Sequence, residues 1–203
     1  SGLVGSEMCI RDRAYSVGGR PDPVLDTHTS AYIACGFRKL RTGYSGSAIR
    51  VRRSSDNSEQ DIGFDATGDL DESALTTFVG ANNGFITKWY DQSGNSEDMV
   101  QTTASAQPKI VDSGSVLKTN SRPHMLFDGT DDFLMNASTS FGTAVTFFSI
   151  QHITSWKGAG AGNSVFISDD AGEYVLVSDD GAGSSAYFVA GTPSTYINGT
   201  TMS

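Results

Sequence analysis

The sequence has 203 residues, 18% of them charged, and a formal net charge of −9. This acidity argues against nucleic acid as a partner, because nucleic-acid-binding surfaces are basic. A negative net charge is compatible with a neutral ligand such as a glycan or polysaccharide, or with a cation such as calcium. No apolar run reaches the ~20 residues that a membrane-spanning helix needs, so we expect no membrane insertion.

The first thirteen residues, Ser1–Arg13, read SGLVGSEMCIRDR and resemble a translated DNA sequencing adaptor. We exclude them from fold prediction as an artefact. Without them Cys35 is the one remaining cysteine, so no intrachain disulfide is expected. Residues 14–28 are rich in glycine and proline and predict an irregular lead-in, whereas residues 29–203 predict a single domain.

Helical and strand-like patterns alternate in the N-terminal third. Ser30–Leu40 has apolar residues at helical spacing and predicts a short amphipathic helix. Ser47–Arg53 alternates apolar and basic residues and predicts a half-buried strand. Leu70–Gly80 predicts a second helix that Asp71 can cap, and Gly84–Tyr90 predicts another strand.

The sequence from Lys109 onward has a β pattern of short strand-like runs separated by Gly/Asp turns, which predicts an antiparallel sandwich or jelly roll. The last turn signal, Asn198-Gly199, predicts a hairpin without a return strand, so we expect a domain truncated at its C-terminus. The runs are Met125–Asp128, Phe133–Asn136, Thr143–Ile153, Ser164–Ser168, Tyr174–Ser178, Ala186–Ala190 and Thr195–Asn198. The predicted core consists of Ile49, Val51, Trp89, Leu126, Phe127, Phe133, Phe147, Ile150, Phe166, Val175 and Phe188.

A polar motif, Tyr90-Asp91-Gln92-Ser93-Gly94, follows the strand that ends near Tyr90. Asp91 and Ser93 can accept hydrogen bonds from nearby backbone N–H groups, and Gly94 can adopt a positive φ. The motif is therefore either a rigid structural turn or a sugar-contacting loop in which Trp89 or Tyr90 is the stacking platform. In the second interpretation the carbohydrate-binding residues are Trp89, Tyr90, Asp91, Gln92 and, from a glycine-rich loop, Trp156.

This motif, together with an upstream segment, resembles the N-terminal part of the catalytic domain of B-type α-L-arabinofuranosidases. The resemblance covers roughly residues 37–111. The matching residues are Tyr44, Gly46, Val51, Arg52, Arg53, Ser55, Asp56 and then Tyr90 to Gly94. The resemblance implies a concanavalin A-like sandwich and a glycoside hydrolase activity that releases arabinose.

The stretch RPHMLFDGTDDFLMN, which begins at Arg122, is similar to the opening strands of concanavalin A-like, laminin-G-like jelly rolls. The same combination occurs in phage tail-fibre-like and adhesin-like proteins, where hydrolase activity is not implied. Both resemblances imply one architecture, an incomplete concanavalin A-like β-sandwich with short helices in its N-terminal third.

Whether the chain is an enzyme stays open at this stage. Glycoside hydrolysis generally needs two facing carboxylates, and Glu173 is the one glutamate of the β-rich half, so it is the catalytic candidate by elimination. The resemblance implies a nucleophile in a Tyr-Gly-Asn-Ala-Glu-Thr setting beside paired cysteines, and the sequence contains no such segment.

Two charged clusters allow both a structural and a functional interpretation. Asp128, Asp131 and Asp132 lie in a predicted hairpin turn and are weak candidates for binding Ca²⁺, which takes six to eight oxygen ligands. No other metal or cofactor is expected. Six basic residues between Arg38 and Arg53 can contact acidic polysaccharide or pair with nearby carboxylates.

These observations favour a carbohydrate-binding module of a surface or virion protein that resembles tail fibres, located outside the cell or on the virion. The alternatives are a glycoside hydrolase of the α-L-arabinofuranosidase B type and a structural spacer within a fibre. A homo-oligomer of the full-length protein is compatible with all three.

Overall fold

The computed structural model describes residues 21–136 and 149–150, and the backbone of five further strands between residues 164 and 201. The adaptor-like segment and the predicted site residues Trp156 and Glu173 lie outside the described residues. The same holds for Phe147 and for the side chains of Phe166, Val175 and Phe188.

The main body contains an antiparallel sheet of six strands. They are β1 (Ile49–Arg53), β2 (Glu59–Ile62), β3 (Gly84–Trp89), β4 (Met99–Val100), β5 (Lys109–Asp112) and β6 (Ser115–Val116). Their order in the sheet is β2-β1-β3-β5-β6, and β4 also pairs with β3. A hairpin of β7 (Lys118–Thr119) and β8 (Arg122–Pro123) follows. Two short helices accompany the sheet, α1 (Val24–Thr27) and α2 (Glu72–Val79), with a 3₁₀ turn at Ala104–Ala106.

Beyond this body, β9 (Ser164–Ser168), β10 (Tyr174–Asp179) and β11 (Ala186–Ala190) form a three-stranded antiparallel sheet. A last hairpin pairs β12 (Tyr196–Ile197) with β13 (Thr200–Thr201). The expectation that the Asn198-Gly199 hairpin lacks a return strand is therefore wrong, because Thr200 and Thr201 pair with Ile197 and Tyr196. The mostly β, antiparallel architecture with short helices in its N-terminal third confirms the predicted fold class.

The core lies between α2 and one face of the sheet. The side chains of Ile49, Val51 and Ile86 are fully buried, and Leu75 and Val79 of α2 pack in the same cluster. The helix forms where the sequence predicted it, since the Asp71 side chain accepts a hydrogen bond from Ala74 N at 2.9 Å and caps the first turn.

Residues 30–40 do not form the predicted amphipathic helix, and α1 lies instead within the predicted irregular lead-in. The physical reason is that the backbone of this segment bonds to partners far away in the sequence. Gly36 O, Arg38 O and Leu40 N all bond to the side chain of Gln92, so the groups that a helix would pair internally are already occupied.

Four predicted core residues are exposed instead: Leu126 (41%), Phe127 (46%), Phe133 (48%) and Ile150 (89%). The first three belong to runs that make only single bridges, Leu126 with Lys109 and Met135 with Val100. Along extended chain, neighbouring side chains point to opposite faces. Met125 and Leu134 pack against the core instead, so the predicted register is wrong by one residue at Leu126 and at Phe133.

Among the described residues, no helix has the length and apolar character needed to cross a membrane.

Candidate functional site

The carboxylate of Asp91 organises the turn after β3. Asp91 is buried, with 5% of its surface exposed. Its Oδ1 accepts hydrogen bonds from Ala34 N and Ser93 N, both at 2.8 Å, and its Oδ2 accepts from Glu97 N at 3.2 Å. The Ser93 hydroxyl donates to Oδ2 at 2.5 Å. One side chain therefore joins the turn to a segment 57 residues earlier in the chain.

The protonation state of Asp91 follows from these contacts. Burial raises the pKa of the carboxyl group, but the hydrogen bonds from Ser93, Ala34 and Glu97 outweigh burial and hold the pKa below its ordinary value. Asp91 is thus an ionised hydrogen-bond acceptor, which is the form that its four donors require.

Gln92 is fully buried and joins the turn to the 30–40 segment by four hydrogen bonds. Its Oε1 accepts from Leu40 N at 2.8 Å, and its Nε2 donates to Gly36 O and Arg38 O, both at 3.1 Å. Its backbone N–H donates to Ala34 O at 2.8 Å. The structural-turn interpretation accounts for Asp91 and Gln92, since their polar side-chain atoms are engaged with the protein's own chain.

Trp89 and Tyr90 point to opposite faces of the sheet. The Trp89 ring stacks on Phe37 with a centroid distance of 5.4 Å and an interplanar angle of 24°, so one ring face is covered. Its buried indole Nε1 has no hydrogen-bond partner in the described part of the chain. The Tyr90 hydroxyl donates to Asp61 Oδ1 at 2.8 Å, and Lys88 Nζ lies 5.2 Å from the ring centroid.

The environment of Tyr90 favours its neutral form. Burial and the hydrogen bond to the Asp61 carboxylate raise the pKa of Tyr90 to about 12. Asp61 in turn accepts from Arg50 Nε at 2.7 Å and from Arg50 Nη2 at 2.9 Å. Sugar binding by Trp89 and Tyr90 stays a prediction, and the two side chains cannot stack on the same sugar ring because they occupy different faces.

An open cleft of about 540 Å³ lies beside the Tyr90–Gly94 turn. It combines one guanidinium, one carboxylate, an amide and hydroxyl groups with the edge of one leucine. The lining residues are Leu25, Asp26, Thr29, Arg41, Ser93, Gly94 and Asn95. In the sequence, Ser93 and Gly94 belong to the Tyr90–Gly94 motif, and Arg41 is one of the six basic residues between Arg38 and Arg53. Asp26, Thr29 and Asn95 had no local pattern that could identify them.

The acidic turn brings its three carboxylates together, as the sequence predicted. Single oxygens of Asp128, Asp131 and Asp132 lie within 4.8 Å of one another. Burial raises the pKa of Asp132, and the Asp128 and Asp131 charges act in the same direction against an opposing hydrogen bond from Asp128 N. Two of the three residues are exposed, and calcium binding stays a prediction.

The basic cluster is mostly paired, in agreement with its structural interpretation. Arg50 forms a bidentate ion pair with Asp61, and Arg53 pairs with Asp56. Arg52 donates to Gln107 Oε1 at 2.7 Å and lies over the Phe85 ring. Arg41 Nη2 donates to Ser93 O at 2.5 Å, which places its guanidinium on the wall of the cleft.

Comparison with known proteins relates the chain to one family of enzymes. Residues 26–126 match the family model described as alpha-L-arabinofuranosidase B, catalytic. The match covers just under half of the chain and includes all cleft residues except Leu25, the Tyr90–Gly94 turn and the whole six-stranded sheet. A search among curated proteins found no match.

Three solved structures are similar to shorter parts of the chain. An arabinofuranosidase in complex with arabinofuranosyl-α-1,2-xylobiose is 35% identical over 34% of this chain and 15% of its own, with a TM-score of 0.32. A family 54 α-L-arabinofuranosidase soaked with a cyclic sulfate inhibitor is 37% identical over 32% of this chain and 14% of its own, with a TM-score of 0.30.

A glutamate-to-glutamine mutant of a family 54 α-L-arabinofuranosidase, soaked with 4-nitrophenyl α-L-arabinofuranoside, is 28% identical over 39% of this chain and 17% of its own. Its TM-score is 0.33. With TM-scores this low, the superpositions carry no argument about the fold. The chain spans only about 14–17% of the length of these structures, so the family-model match is the finding that bears on function.

Proposed function

We propose that the chain forms part of a glycoside hydrolase domain that acts on α-L-arabinofuranosides. The family-model match over residues 26–126 is the observation that carries this proposal. It supports the hydrolase alternative better than a carbohydrate-binding module without catalysis. The matched residues form the six-stranded sheet and the turn anchored by Asp91 and Gln92, which gives them the role of a rigid scaffold.

Catalysis in such a domain needs a general acid and a second carboxylate that acts as nucleophile or base. The one carboxylate of the anchored turn does not suit either role, because Asp91 accepts four hydrogen bonds from the protein itself. Glu173 is the proposed nucleophile, and the acidic partner is proposed to lie outside residues 26–126. We further propose that the protein acts outside the cell or on a virion surface, where a polysaccharide substrate is accessible.

A second candidate is glycan binding without bond cleavage, as in a tail-fibre-like or adhesin-like protein. The observation that favours it is the cleft beside the turn, whose lining residues include hydrogen-bonding groups but only one carboxylate, Asp26. The two candidates differ in one measurable property, since only the first releases arabinose.

The test is arabinose release from an aryl α-L-arabinofuranoside by the protein expressed from the complete reading frame that contains these residues. The proposal predicts that turnover falls by at least roughly 10²-fold in Glu173→Gln, because removing a catalytic group costs this much or more. Glu72→Gln is the matched control, because Glu72 pairs with Lys118 on the surface, away from the cleft. Equal turnover by both variants would remove Glu173 from the mechanism.

A further inference from the structure

The cleft beside the Tyr90–Gly94 turn has a balanced formal charge. Its lining residues supply one cation, Arg41, and one anion, Asp26. The Asp26 carboxylate would repel a phosphate or a uronate. The Arg41 guanidinium would repel a metal ion, which would also have only one carboxylate as a ligand. The charges therefore favour a neutral, polar ligand.

The polar groups that face the cleft are held in place from behind. Arg41 Nη2 donates to Ser93 O, and the Asp26 carboxylate accepts from Thr42 N at 3.0 Å and from the Thr42 hydroxyl at 2.5 Å. Asn95 Nδ2 donates to Tyr32 O at 2.8 Å and to Ala31 O at 3.1 Å. Groups fixed in this way lose less conformational entropy when a ligand binds.

Hydrogen-bonding capacity remains after these internal contacts are made. The Arg41 guanidinium has five N–H groups and donates one of them to Ser93 O. In the described part of the chain, Asn95 Oδ1 and the Thr29 hydroxyl make no hydrogen bond. Donors and acceptors thus stand side by side, which matches sugar hydroxyl groups because each of these both donates and accepts.

The shape of the cleft is compatible with such a ligand. It is wide open to solvent, and its volume of about 540 Å³ leaves room for a small sugar that stays partly exposed. Leu25, which is 4% exposed, and Gly94 both line the cleft. Gly94 has a φ of 100°, and a Cβ added there would lie 3.2 Å from Arg41 Nη1. A side chain at this position would therefore narrow the cleft.

We propose that this cleft is a binding subsite for a neutral glycan, formed by Asp26, Thr29, Arg41 and Asn95. The choice of an arabinose-containing glycan rests on the proposed function. The cleft itself is assigned from its charge balance and its free hydrogen-bonding groups.

The test titrates the chain with a linear α-L-arabinofuranosyl oligosaccharide and follows backbone amide signals by NMR. The proposal predicts millimolar binding that shifts the signals of Gly94 and Asn95. Thr29→Trp fills the cleft and is expected to abolish binding, and Asp26→Asn is expected to weaken it about tenfold. Thr102→Trp is the matched control, because Thr102 is exposed and does not line the cleft.

The variants are expected to keep the fold, since Thr29 is exposed and an asparagine at position 26 can still bond to Thr42. Unchanged far-UV circular dichroism verifies this. Binding that survives Thr29→Trp, no binding at all, or preferential binding of oligogalacturonate would each overturn the subsite. Arabinose release with no binding in the cleft would overturn the subsite alone, whereas binding in the cleft without arabinose release would overturn the hydrolase alone.

Discussion

Replacing Gln92 by alanine is expected to lower the free energy of unfolding by about 3–4 kcal/mol. The side chain is fully buried and makes three hydrogen bonds, to Leu40 N, Gly36 O and Arg38 O. Each is worth about 1–1.5 kcal/mol when its loss leaves a backbone group without a partner. No local secondary structure replaces these bonds, because the 30–40 segment is irregular.

The assay is urea unfolding of the full chain, followed by tryptophan fluorescence and analysed by linear extrapolation. Trp89 is a suitable reporter because it stacks on Phe37 within the anchored segment. Gln60→Ala is the matched control, since Gln60 is exposed on β2, and its effect should stay within about 0.5 kcal/mol. A loss below about 1 kcal/mol for Gln92→Ala would show that the amide does not anchor the segment.

Three further perturbations probe other parts of the fold. Hydrogen bonds lower the pKa of Asp91 in the folded state. The ionised Asp91 carboxylate therefore contributes its full stabilisation above the unfolded-state pKa of about 4, and this contribution is lost as the pH falls through the folded-state pKa. The Asp91→Asn variant should therefore show a shallower decline of unfolding free energy in acid than the parent, and parallel curves would contradict this. The difference in tyrosinate absorbance between the parent and Tyr90→Phe should titrate near a pKa of about 12, and a midpoint near 10 would show that Tyr90 is free of Asp61. Ile86→Ala, at a fully buried position of β3, should lower the free energy of unfolding by about 2–5 kcal/mol, and a loss below about 1 kcal/mol in urea unfolding would place Ile86 outside the core.

Local sequence patterns were sufficient to predict the elements whose structure depends on nearby residues. The α2 helix follows from the Asp71 cap and the apolar residues on its buried face. The alternation of Ile49 and Val51 with Arg50 and Arg52 correctly predicts β1 and its buried face. In both cases the hydrogen bonds and the apolar pattern that determine the structure lie within a few residues.

Non-local contacts explain the parts of the fold and of the cleft that the sequence did not predict. The 30–40 segment has helical spacing, but its backbone is satisfied by Gln92, which lies 52 to 56 residues away. The register error at Leu126 has a related cause, because a single bridge to Lys109 leaves the run free to place Met125 inward. The cleft was not predicted because Asp26, Arg41 and Asn95 are distant in the sequence and are brought together by the tertiary structure.

Substrate discrimination tests the proposal that the chain is part of a domain acting on α-L-arabinofuranosides. The protein from the complete reading frame is assayed with an aryl α-L-arabinofuranoside and, in parallel, with the corresponding aryl β-D-xylopyranoside. We expect release of arabinose from the first substrate and no turnover of the second. Failure to cleave either substrate, by a protein that still binds the arabinofuranosyl oligosaccharide, would contradict the claim and identify the chain as a glycan-binding module.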